Sequence, residues 1–132
     1  IGPRGQRKDI HLLDLARRKS IIELSAAVSQ QQSLMSKFDL AFGPTLDSGE
    51  IESLSILPKR NDLIFCTFDK AAIMALVLLR IAHRGISLER VLLECGLNRH
   101  LERKHSEKKF KYILKQAKQM RVMGQGLSED IL

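Results

Sequence analysis

Residues 71–79 (Ala-Ala-Ile-Met-Ala-Leu-Val-Leu-Leu) are the longest unbroken apolar run in the chain, and they constrain its fold more than any other feature. Wound as a helix over 71–82, they put Ile73, Met74, Leu76, Val77, Leu78, Leu79 and Ile81 on every side of the cylinder. A helix that is apolar all round must be buried all round. The run is shorter than the ~18 apolar residues that span a bilayer, so protein rather than lipid has to cover it. A chain of 132 residues fits one domain and holds little material to surround such a helix. A second copy is therefore expected, and the chain reads as a homodimer.

The rest of the sequence sorts into elements around that helix. Residues 1–8, with two glycines, one proline and three basic groups, read as a flexible basic arm. Asp9 is placed to cap a long helix reaching about Phe42, with the polar stretch 29–33 as its one weak point. Gly43-Pro44 stops that helix, residues 45–50 read as a loop, and residues 51–57 alternate weakly. Residues 63–68 (Leu-Ile-Phe-Cys-Thr-Phe) are the clearest strand, β-branched and aromatic, and the two segments are candidates for a hairpin. Asp69 or Thr67 caps the apolar helix, and Gly85 is expected at its C′ position. Ser87 caps the next helix, whose inward face is Leu88, Val91, Leu92 and Cys95. Ser106 and Glu107 open a last helix that stops near Gly124. One folded unit over 9–124 is expected, followed by a loose tail over 125–132.

The last helix carries the strongest functional signal. Lys104, Lys108, Lys111, Lys115 and Lys118 recur at steps of three and four, which confines them to roughly an 80° arc at 100° per residue. Phe110, Ile113, Leu114, Ala117 and Met120 take the opposite arc, so the helix docks by an apolar stripe and presents ammonium groups outward. Solvated faces usually mix signs, yet between Arg103 and Arg121 only Glu107 is acidic. A polyanion relieves the repulsion, and nucleic acid is the leading candidate because each neutralised phosphate releases condensed counterions. Net charge is +7, which favours anionic partners in general. Six aromatic residues without tryptophan are few for stacking on RNA loops or single strands, so duplex DNA is preferred over RNA.

The order strand (63–68), helix (69–84), turn (Gly85-Ile86-Ser87) and helix (88–101) resembles a ribbon-helix-helix DNA-binding domain. The junction Ile81-Ala82-His83-Arg84-Gly85-Ile86-Ser87-Leu88-Glu89-Arg90-Val91 is similar to that family's inter-helix turn, and the likeness covers 63–103. It implies an obligate dimer whose two strands pair antiparallel in the major groove. It also implies that backbone amides near Ile86 and Ser87, beside Arg84, hold a phosphate. If Ile64, Cys66 and Phe68 face the core, then Thr67 faces outward with Leu63 and Phe65. That face is less polar than the family's base readers, which makes Lys59, Arg60 and Asn61 alternative readers.

The fold class expected is therefore mostly α with one short β-ribbon: a ribbon-helix-helix-like dimer flanked by a long N-terminal helix and a C-terminal basic amphipathic helix. An ordinary helical bundle, or a winged or tri-helical module, accommodates the same residues. No catalytic constellation, phosphate loop or complete metal-ligand set stands out. Cys66 and Cys95, without a Cys-x-x-Cys, read as two buried thiols of a cytoplasmic or nucleoid-associated protein. The function expected is a non-enzymatic, cofactor-free regulator or organiser of DNA. Its expected contacts are Lys59, Arg60, Asn61, Thr67, Arg84, Ser87, Lys104, Lys108, Lys111, Lys115 and Lys118. The alternatives are an assembly protein whose basic helix binds an acidic protein partner, and an RNA-binding module.

Overall fold

The computed structural model describes residues 12–18 and 20–129, which form mostly helix with one small sheet. In chain order the elements are α1 (Leu12–Arg17), α2 (Val28–Met35), α3 (Ser48–Ile56), β1 (Phe65–Cys66), α4 (Lys70–Leu78), β2 (Gly85–Ile86), α5 (Leu88–Glu94) and α6 (Glu107–Val122). Short 3-10 turns sit at Gly43–Thr45, Leu57–Lys59, Ala82–Arg84 and Arg103–His105. The expected basic arm over 1–8 and the cap at Asp9 lie outside the described residues.

The apolar helix is α4, and it is the hub of the core. Asp69 caps it by accepting from the Ala72 amide at 3.1 Å. One side packs with Leu34, Phe38, Phe42, Leu46, Leu54, Leu57 and Leu127, and another sets Ile73 against Phe110 and Ile113 of α6. Ala72, Ile73, Ala75, Leu76, Val77 and Leu78 are all buried within a single chain. Each large side chain among them contributes about 1.5–3 kcal/mol of transfer free energy. The expectation that a second copy must cover this helix is thus corrected. The covering comes from α6, from Leu34 of α2 and Leu54 of α3, and from Phe38, Phe42, Leu46 and Leu127 in irregular chain and the tail.

The tail is docked rather than loose over its described part. Phe38 and Leu127 form an antiparallel bridge. The Asp39 amide donates to the Gly126 carbonyl at 2.9 Å, and the Ser128 amide to the Lys37 carbonyl at 2.9 Å. Asp39 Oδ2 accepts from the Gly126 amide at 2.8 Å. Gly126 has φ +95°, and a Cβ there would lie 2.6 Å from Leu78 Cδ1. Only glycine lets the tail approach α4 so closely.

Helix ends explain most differences from the expected element map. Among the described residues, the long helix expected over 9–42 gives way to α1 and α2 with non-helical chain after each. The polar stretch 29–33, expected as a weak point, instead lies within α2, where Gln30 Oε1 accepts from the Ala27 amide at 2.8 Å. Residues 45–57 hold α3 rather than a loop and a strand. Asp47 Oδ1 accepts from the Glu50 amide at 2.8 Å and Glu50 Oε2 from the Asp47 amide at 3.1 Å, a reciprocal capping box. Burial and the neighbouring Asp69 and Asp47 carboxylates raise the Glu50 pKa, against the lowering effect of the Asp47 hydrogen bond.

Gly85 does not end α4. That role falls to Arg80, at φ +63°, with the Ile81 amide donating to the Leu76 carbonyl at 2.8 Å and the Arg80 amide to Val77 at 3.0 Å. This is the paired hydrogen-bond pattern of a helix closed by a left-handed residue. Gly85 lies in β2 at φ −105°, where a Cβ would sit 2.5 Å from Leu76 Cδ1 and 3.2 Å from Phe110 Cζ. It is glycine for closeness, not for turning. Gly96 and Gly124 do occupy the left-handed position after α5 and α6.

The expected hairpin and antiparallel ribbon are also corrected. β1 pairs in parallel with β2 of the same chain, with Phe65 beside Gly85 and Cys66 beside Ile86. α4 lies between them in sequence and returns the chain so that both strands run the same way. The faces are inverted as well: Leu63, Phe65 and Thr67 turn inward, while Ile64, Cys66 and Phe68 are exposed. Both cysteines are exposed rather than buried, although local packing still pushes the Cys66 thiol pKa up by desolvation. No helix among the described residues is long and apolar enough to cross a membrane.

Candidate nucleic-acid interface

The sixteen residues of α6 are positioned by one capped start and one anchored end. Ser106 Oγ accepts from the Lys109 amide at 3.1 Å. Near the other end Arg121 Nη1 donates to the Val77 carbonyl of α4 at 2.9 Å. Phe110, Ile113 and Ala117 are buried against the core. With that face fixed, Lys108, Lys111, Lys115 and Lys118 all fall on the exposed side. None of the four has a carboxylate within ion-pair distance among the described residues. From Lys108 to Lys118 the row runs about 15 Å at 1.5 Å per residue.

Lys104 is not part of this row. It lies in the Arg103–His105 turn ahead of α6, its Nζ 3.6 Å from Glu102 Oε2 and 5.1 Å from the Phe68 ring centroid. The helical spacing carried it one turn too far, because the helix begins only at Glu107.

The Gly85–Ser87 junction is built differently from a phosphate site. Ser87 is 2% exposed. Its Oγ accepts from the Arg90 amide at 3.1 Å and donates to Glu107 Oε1 at 3.2 Å. Glu89 Oε1 accepts from the Glu107 amide at 2.9 Å, and Arg90 Nη1 sits 3.6 Å from Glu107 Oε2. The starts of α5 and α6 therefore satisfy each other. The carboxylates of Glu89 and Glu107 lie at this pair of helix starts, and they would repel a phosphate brought there.

Arg84 is turned into the protein. Its Nε donates to the Leu63 carbonyl at 3.0 Å, and its Nη2 donates to Leu57 at 3.1 Å and to Arg60 at 2.5 Å. These bonds lash the 57–63 turn to the end of the α4–β2 connection. Thr67 faces inward and its Oγ1 accepts from the Asp69 amide at 3.1 Å, so it too is removed as an outward reader. Lys59, Arg60 and Asn61 are exposed. Arg60 donates from Nε to Asp62 Oδ1 at 3.1 Å and from Nη2 to Asp62 Oδ2 at 3.0 Å. That contact raises the Arg60 pKa and holds the Asp62 carboxyl low, and Lys59 beside it has no carboxylate partner among the described residues.

Three residues join the lysine face that the spacing did not mark. Tyr112 is 55% exposed and lies about 40° from Lys108 on the helix circumference. Lys109 reaches over it, Nζ 5.4 Å from the ring centroid. Arg103 closes the group, sharing a recess with Ser106, Lys108, Lys109 and Tyr112. The alternation of Phe110 and Tyr112 with basic residues was visible in the sequence. Their separation into a buried Phe110 and an exposed Tyr112 depends on how α6 is rotated against α4. Among the described residues no group of three or more His, Cys, Asp or Glu is disposed to hold a metal ion. Comparison with protein-family models, with curated proteins and with solved structures finds no match to this chain.

Proposed function

We propose that this protein binds duplex DNA through the outward face of α6, with Lys108, Lys111, Lys115 and Lys118 gripping the phosphate backbone without reading base sequence. The observation that carries the reading is four exposed ammonium groups on one face with no acidic partner among the described residues. Lysine acts on phosphate as a flexible point charge. Over about 15 Å of duplex axis some nine phosphates are available at one per 1.7 Å, so all four lysines can find one. The reading needs neither the antiparallel ribbon nor a phosphate at Ser87, and it does not call for a second copy. A role in regulating transcription or organising a DNA complex follows as the function class.

The test is the salt dependence of affinity. Four phosphate contacts give a log–log slope contribution of about −3.6, or roughly a 150-fold loss between 50 and 200 mM salt. Replacing all four lysines by Gln, a comparable helix former, should remove that contribution and weaken random and specific duplexes alike. An unchanged slope would leave the face as a solvated surface. Tighter binding to an acidic protein than to DNA would favour the assembly reading, and preference for double-stranded RNA the RNA-binding one.

A further inference from the structure

We propose that the N-terminal end of α6 holds one unpaired nucleotide of a DNA strand, its phosphate among Arg103, Lys108 and Lys109 and its base stacked on Tyr112. The inference rests on the nucleic-acid reading of α6 and narrows the substrate class to DNA with unpaired nucleotides, such as a strand end or an overhang beside a duplex.

Tyr112 is the only tyrosine in a chain that contains no tryptophan, and it stands exposed amid lysines instead of in the core. Its ring is fixed from two directions. Gln116 Nε2 donates to the Tyr112 hydroxyl at 3.2 Å, and the Lys109 ammonium lies 5.4 Å from the ring centroid. A cation over one side leaves the opposite face for a base, and it stays close enough to meet the phosphate attached to that base. Phe68 offers a contrast, since its exposed ring is already met edge-on by His105 at 4.7 Å and by the Lys104 ammonium.

The recess beside Tyr112 is lined by Arg103, Ser106, Lys108 and Lys109 and has a volume of about 160 Å³. That is below the ~300 Å³ where whole-ligand pockets begin, so it suits a phosphate group with the base left outside against the ring. Arg103, Lys108 and Lys109 have no carboxylate partner among the described residues. The nearby Glu107 is directed away, held by Ser87 and Arg90. Lys111, Lys115 and Lys118 continue along α6 from this point, which lets a duplex backbone run on from the unpaired nucleotide. Stacking on an aromatic side chain is sequence-tolerant because every base has a π-face.

Tyr112 emission reports the contact directly. The probes are a DNA hairpin closed by a non-nucleotide linker and carrying a short oligothymidine overhang, the same hairpin blunt-ended, and inorganic polyphosphate. With absorption by the DNA corrected for, the overhang hairpin should quench the emission while the blunt hairpin and polyphosphate leave it nearly unchanged. Tyr112→Leu should weaken overhang binding by about 5- to 150-fold, the range for one stacked base. Tyr112→Phe should bind nearly as well as the parent, and blunt-hairpin affinity should stay within twofold for both variants. Equal affinities of Tyr112→Leu and parent for the overhang, or quenching by polyphosphate alone, would overturn the stacking site and leave the backbone grip standing. Failure of both hairpins to bind would overturn both readings.

Discussion

Replacing Arg84 separates a structural clamp from a DNA contact, because the two roles move different observables. In Arg84→Ala three carbonyls lose their donor: Leu63, Leu57 and Arg60. The bond to Arg60 is exposed and water replaces it at little cost. The other two are part-buried, and hydrogen bonds from a charged donor contribute about 1.5–3 kcal/mol each when shielded. Discounting for partial exposure leaves about 2–3 kcal/mol of stability lost. For a domain of this size that corresponds to a melting point lower by roughly 10 °C, since 1 kcal/mol shifts it by about 4 °C. Urea unfolding followed by circular dichroism should show a lower midpoint at unchanged slope. Arg84→Lys should recover less than half of the loss, because an ammonium cannot fork between carbonyls as a guanidinium does. At temperatures where both proteins are folded, DNA affinity and its salt slope should match the parent. Stability within 0.5 kcal/mol of the parent, a threshold well below a typical hydrogen-bond loss, together with a salt slope shallower by about one unit, would refute the clamp and restore Arg84 to the phosphate-binding role.

Other substitutions probe the rest of the frame. Gly126→Ala should cost about 2–4 kcal/mol, adding a left-handed backbone penalty to overpacking against Leu78, whereas Gly96→Ala, with nothing within 4 Å of its Cβ, should cost only about 1 kcal/mol; equal melting points for the two variants would mean that the tail is not docked on α4. Arg80→Gly should stabilise the protein by about 1 kcal/mol in thermal melts by removing the penalty of a side chain at φ +63°, and any loss of stability would contradict the assigned end of α4. Glu50 has a raised pKa in the fold, so its proton favours the native state. That contribution is full below the ordinary carboxyl value near 4.3 and is lost as pH climbs through the raised value. Glu50→Gln keeps an acceptor for the Asp47 amide and should melt no lower than the parent at pH 7, with any advantage closing below about pH 4; a clearly lower melting point at neutral pH would show that the cap outweighs the buried charge.

What the sequence made legible was local. Asp69, Ser87 and Ser106 announce helix starts because a cap needs only its own side chain and an amide three residues on, and each of the three makes that bond. The outward lysines of α6 were legible for the same reason: once Phe110, Ile113 and Ala117 are buried, geometry within one helix dictates the opposite face. α3 was equally local and was still missed. Asp47 and Glu50 stand at capping-box spacing, but Ser48 and Gly49 between them have the composition of a loop.

The remaining errors share a different cause, which is that they turn on what packs from far away in the chain. β1 alternates cleanly, but which of its faces is buried depends on where β2 and α4 lie, so Thr67 and Phe68 exchange sides without any change in pattern. α4 demanded burial, and the sequence could not show that Phe38, Phe42, Leu46 and Leu127, scattered over irregular chain, would meet the demand without a second copy. The same distinction bears on the functional residues. Whether a helix N-terminus holds an anion depends on its neighbours, and at Ser87 the neighbours are Glu89 and Glu107. The outward lysines of α6 need one fact only, the burial of Phe110, Ile113 and Ala117 on the opposite side of the same helix. The nucleic-acid reading therefore stands on Lys108, Lys111, Lys115 and Lys118, and it stands independently of the family resemblance that first drew attention to Ser87.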